Sequence, residues 1–194
     1  MLENLPSSAR QILYGNVLLV VCCGFYLAWW VVAFRVNNPI KGMQSGWLLI
    51  PAVIAGLAAV ILIVQGISAT GSEHALFPNL YFIIGGVIAY IVFAVVTALV
   101  FKRQMTSELF LFVGWSALAL AIVNTLYGSS QLAPRVSLVL VVAIVVVLAV
   151  SLVCYVLFYR LEPQPAYYNG MVPLVLIALT MIALSICIMA HPQL

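Results

Sequence analysis

The chain has 194 residues, 66% of them hydrophobic and 6% charged, with a formal net charge of +3 and a mean hydropathy of +1.27. A soluble domain is about 25% charged and about half apolar, so this composition excludes a water-soluble fold and points to lipid as the solvent. Asp is absent, the acids are Glu3, Glu73, Glu108 and Glu162, and the basic residues lie outside the apolar runs or at their edges. A pI near 8.7 therefore reflects membrane topology, and no nucleic-acid partner is expected.

A helix needs about 20 apolar residues to cross a hydrocarbon core of about 30 Å. That measure predicts six spans, at Gly15–Phe34, Trp47–Ala69, Leu80–Phe101, Glu108–Tyr127, Arg135–Tyr159 and Met171–Ala190, joined by short loops carrying Pro, Gly, Asn and Ser. The fold class is an all-α, polytopic integral membrane protein, a bundle of six transmembrane helices. Residues 1–194 are expected to form a single transmembrane helical domain.

Before the first span, the segment LPSSARQILYGN predicts a helix start at Ser7 or Ser8, where a hydroxyl can cap the first turn. The first apolar run is too long for an export signal and has no small-residue cleavage site, so it is taken as a true span. Trp29, Trp30 and Arg35 mark its other end, at the level where aromatic residues anchor helices to headgroups. Tyr26 and Trp30 are also candidates to face a solute.

Span two opens with Pro51 in its first turn, where no backbone bond is lost. Its pairs Ala52, Gly56 and Ala55, Ala59 step by four residues and suit tight packing, and Gln65 lies near its far end. Span three carries Gly86, Tyr90 and Thr97 within one helical face at about 100° per residue, with Tyr90 the deepest hydroxyl.

Span four holds a heptad seam of Gly114, Ala117, Ala121, Asn124 and Gly128, preceded by Ser107. Small residues with one amide suit close helix contact in lipid, so Asn124 is read first as an interhelical hydrogen-bonding group and second as a solute ligand. Glu108 stands at the cytoplasmic start of this span, where the helix macrodipole favours an acid. The other reading of Glu108 is a charge at a cytoplasmic pore mouth. Glu108 and Asn124 lie about 160° apart around the helix and near opposite membrane faces, so they cannot make one compact site.

The first half of span five is Val, Leu and Ile and reads as lipid-facing. Span six has Pro173 near its start, then Thr180 and Ser185, whose hydroxyls can bond to their own helix backbone. The cysteines Cys22, Cys23, Cys154 and Cys187 sit in apolar runs without ligand spacing and read as packing residues.

Loops after spans one, three and five hold Arg35, Lys41, Lys102, Arg103 and Arg160, whereas the other side holds Arg10 and Arg135. This bias places both termini outside the cytoplasm of a cell (plasma or inner) membrane. Three-plus-three spans would also permit an inverted repeat, with Pro51 and Pro134 near the starts of corresponding helices.

The spans hold no lysine, and His74 and His191 lie in an outer loop and at the C-terminus, away from Glu108. No catalytic set, metal site or cofactor is expected; an intramembrane lipid-modifying enzyme would have to rely on Glu108 and a histidine. The leading reading is a channel or transport protein for a small neutral or weakly charged solute, contacted by Tyr26, Trp30, Gln65, Tyr90 and Asn124. The alternative is a non-catalytic subunit of a larger membrane complex. Membrane lipid is the expected surrounding, and the small-residue seams suit a homo-oligomer or a membrane-protein partner.

Overall fold

The computed structural model describes residues 5–34, 46–70, 78–99 and 107–190, without the side chains of Thr97 and Ser107. Glu73, His74 and His191 lie outside this set, as do Arg35, Lys41, Lys102 and Arg103, on which most of the charge bias rests. Among the described residues the chain is all-helical, with six long helices: α1 (Ser7–Ala33), α2 (Leu49–Thr70), α3 (Leu80–Leu99), α4 (Ser107–Gly128), α5 (Pro134–Phe158) and α6 (Pro163–Ala190). Each predicted span overlaps one of them.

Helices are the expected answer to this composition, because in hydrocarbon every backbone N–H and C=O must be satisfied within the chain. Five helices are long and apolar enough to cross a membrane; α3 is apolar over the shorter stretch Leu80–Val96. The outward surfaces match a lipid environment. Leu138 and Val139 on α5 are 66% and 67% exposed, and Val53, Ile54 and Leu57 on α2 are similarly bare.

Two helices start earlier than the spans do. The 27 residues of α1 amount to about 40 Å at 1.5 Å per residue, more than the hydrocarbon requires. Its first turns are held by packing, since Ser8, Ala9, Ile12 and Leu13 are all buried. No side chain caps this helix: the cap position falls on Pro6, which has no side-chain acceptor, so the expected serine cap does not form. The last helix begins at Pro163, where the fixed φ of proline suits the first helical position. Pro173 then falls inside α6, and its missing N–H leaves the Asn169 carbonyl without the usual donor four residues on.

The chain divides into two compact units, residues 1–70 with 153–194, and residues 71–152; the boundary falls inside α5. These units do not coincide with two three-span halves.

In the first unit α1 packs on α2 and on α6. The α1–α2 pair is antiparallel and built on glycine. A Cβ on Gly66 would lie 2.7 Å from the Ser8 carbonyl oxygen, and one on Gly15 would lie 2.9 Å from that of Ala59. Further along, a Cβ on Gly56 would meet Cys22 Sγ at 3.3 Å. Ala52, Ala55 and Ala59 are buried in the same helix, as the four-residue steps predict. Backbones meet this closely in lipid only where side chains are small.

In the second unit α3 packs on α4. Gly86 meets Ala117, whose Cβ lies 3.0 Å from where a Gly86 Cβ would stand, and Tyr90 sets its ring edge-on to Phe110 at 5.6 Å. The α4 seam holds only in part. Ala121 and Asn124 are buried, but a Cβ on Gly114 would meet nothing within 4 Å. After Gly128 the chain closes in a Schellman turn, with the Gln131 N–H on the Leu126 carbonyl and the Ser130 N–H on that of Tyr127. Ser130 takes the left-handed position at φ 59°, where glycine is the usual choice.

Candidate functional site

Polar side chains inside apolar helices are the natural place to look for function, because burying a polar group without a partner is costly. Most of those described here bond to their own helix. Thr180 donates to the Leu176 carbonyl and Ser185 to that of Met181, each at 2.8 Å, as expected from the sequence. Ser116 and Ser151 donate to Val113 and Val147 in the same way.

Asn124 does reach across helices. Its Nδ2 donates to Asn79 Oδ1 at 3.0 Å, and Asn79 Nδ2 in turn donates to Thr125 Oγ1 at 3.2 Å. The Thr125 hydroxyl passes its own proton to the Ala121 carbonyl at 2.8 Å. Asn79 sits just before α3, so this chain of bonds ties the start of α3 to the last turns of α4. Asn79 and Thr125 are not among the sequence candidates. The signal for Asn79 is an amide after Pro78, a position ordinarily read as turn chemistry.

Each bond of this network is worth about 0.6–2 kcal/mol in lipid. Replacing Asn124 with Leu is expected to cost about 1 kcal/mol, and Asn79→Leu a similar amount. The double variant should lose less than the sum, because both remove one shared bond. Unfolding of the four proteins in one detergent checks this; strictly additive losses would dissociate the pair.

Trp30 is buried, 7% exposed, and its Nε1 donates to the Tyr167 carbonyl at 3.1 Å. The indole stacks on Phe34 with centroids 4.4 Å apart and meets Phe158 edge-on at 5.6 Å. Gly170 lies against the indole so closely that a Cβ there would overlap the ring. One turn away, Asn169 Nδ2 donates to the Cys154 carbonyl at 2.6 Å. Trp30 thus closes α1 on α6 rather than standing free at a headgroup level.

The remaining candidates are dispersed. Tyr26 is half-buried and tilted against Trp29 with centroids 5.2 Å apart. Gln65 is exposed on α2 and Tyr90 half-buried on α3. Glu108 is half-buried in the first turn of α4, the position that the helix dipole favours. Tyr26, Trp30 and Gln65 belong to the first unit; Tyr90, Glu108 and Asn124 belong to the second.

One residue that the sequence reading passes over stands apart. Asn16, on α1, is 0% exposed, and neither its Nδ2 nor its Oδ1 has a hydrogen-bond partner among the described residues. A bare amide in apolar surroundings costs roughly 2–7 kcal/mol. Its signal is an asparagine beside Gly15, at the edge of the first apolar run, where it reads as part of the lead-in. Trp115 Nε1, on α4, is the other buried donor without a partner in the described set.

These groups can donate and accept hydrogen bonds to a neutral molecule, and among the described residues no three His, Cys, Asp or Glu side chains gather as metal ligands. No protein-family model, curated protein or solved structure matches the chain.

Proposed function

We propose that this chain is a channel or transport protein for a small neutral or weakly charged solute, acting as one transmembrane domain with both termini outside the cytoplasm. The observation that supports the reading is Asn16, a fully buried amide with both hydrogen-bonding atoms unmatched. A solute site in lipid needs polar groups left over after helix packing has taken its share, and Asn16 is left over. Tyr26, Trp30, Gln65, Tyr90 and Asn124 remain candidate solute contacts, and Glu108 a candidate charge at the cytoplasmic mouth.

A second reading, a non-catalytic subunit of a larger membrane complex, is favoured by the bonds already made by Trp30 and Asn124. Two measurements separate the readings. Purified protein in liposomes is expected to accelerate the entry of small neutral solutes, followed by light scattering, over protein-free vesicles. A silent liposome together with a stoichiometric partner retained in mild detergent would replace transport with the subunit reading.

A further inference from the structure

Asn16 belongs to a stripe on α1, Ala9, Asn16, Cys23 and Trp30, in which every member is buried and seven residues separate each from the next. At about 100° per residue Asn16 lies about 40° from Trp30 and about 100° from Gly15 around the helix. Gly15 faces α2, whereas Trp30 faces α6 through Tyr167 and Gly170. Asn16 is therefore on the α6 side. Because α1 and α6 run antiparallel, the step back from Trp30 to Asn16, about 21 Å at 1.5 Å per residue, leads along α6 from Tyr167 and Gly170 to the level of Thr180–Ser185.

That level of α6 is also polar. Thr180 and Ser185 are 8% and 6% exposed, and each spends its proton on its own helix. A hydroxyl that donates once still has a lone pair free to accept. The first unit thus holds an amide with donors and an acceptor unmatched on one helix, and two buried oxygen acceptors at the same level on the facing one.

From this we infer that Asn16, with Thr180 and Ser185, marks a buried binding site for a small neutral molecule that both donates and accepts hydrogen bonds. Water is the smallest such occupant. A primary carboxamide is the best-matched solute, since two carboxamides pair through reciprocal N–H to O=C bonds. The ionised forms of acids and amines are excluded, because the site offers no countercharge. The site rests on the solute-handling reading only for its purpose, and it stands or falls separately.

The test uses the full chain in detergent. Gly15–Asn16 is the only Gly-Asn pair in the sequence, so carbon-13 glycine with nitrogen-15 asparagine labelling isolates the Asn16 signal without a variant. Formamide titration is expected to move that signal saturably, with the shift lost in Asn16→Leu. A resident water instead shows as magnetisation transfer from water to the Asn16 side chain with no formamide response. Absence of both responses overturns the site. Formamide binding at Asn16 without liposome flux would sink the transport reading alone, and flux with a silent Asn16 would sink the site alone.

Discussion

Trp30→Ala is expected to be among the most destabilising single changes, by about 3 kcal/mol. A buried aromatic truncated in a water-soluble core costs about 3–5 kcal/mol, but part of that is transfer from water, which lipid does not charge. What remains is the void between α1 and α6 and the lost bond to the Tyr167 carbonyl. Phe34 loses a ring stacked at 4.4 Å and Phe158 an edge contact at 5.6 Å. Gly170 loses the indole it accommodates. Trp30→Phe, which keeps a ring and removes the donor, should cost about 1 kcal/mol. Unfolding of the three proteins in one detergent measures both differences. A Trp30→Ala protein as stable as the parent, but defective in solute entry, would return Trp30 to a purely solute-facing role.

Trp30 also marks the limit of what a membrane sequence discloses. Spans are legible because their signal is length and apolarity, which lipid demands of any spanning segment; each predicted span has its helix. Helix faces are less legible, since a side chain facing lipid and one facing another helix are equally apolar. Small residues narrow the choice where they recur at four-residue steps, as with Ala52, Ala55, Gly56 and Ala59 against α1. They fail where a single seam is extended too far: Gly114 continues the α4 series in spacing but has open space beside it.

Polar residues follow the same logic. Thr180 and Ser185 can be assigned from sequence because their partner is their own backbone, four residues away. The bond of Asn124 to Asn79 spans 45 residues, and nothing local announces it. Asn16 escapes because an amide at the edge of an apolar run resembles the end of a span. Only its complete burial within α1 distinguishes it, and that burial comes from the helix continuing back to Ser7 and packing there.

The contact between α1 and α2 gives the second large effect, and one whose sign can be reversed along the same helix. A Cβ added at Gly66 would lie 2.7 Å from the Ser8 carbonyl oxygen and from Ile12 Cγ1, and 3.1 Å from the Ile12 nitrogen. Two of these three atoms are backbone, so no rotamer change relieves the overlap and the helices must separate. Gly66→Ala is therefore expected to cost about 1–3 kcal/mol, the range for overpacking a well-filled contact. At Gly56 the only near atom is Cys22 Sγ at 3.3 Å, the end of a short side chain, so Gly56→Ala should be close to neutral. At Gly24 on α1 nothing lies within 4 Å, and alanine there should stabilise by up to about 1 kcal/mol through helix propensity. Chemistry is identical in all three variants; only the distance to the neighbouring helix differs. Denaturant or thermal unfolding should rank Gly66→Ala below Gly56→Ala and Gly24→Ala. Equal effects at Gly66 and Gly24 would mean that the two helices do not meet at Ser8 and Ile12, and the close α1–α2 approach would have to be abandoned.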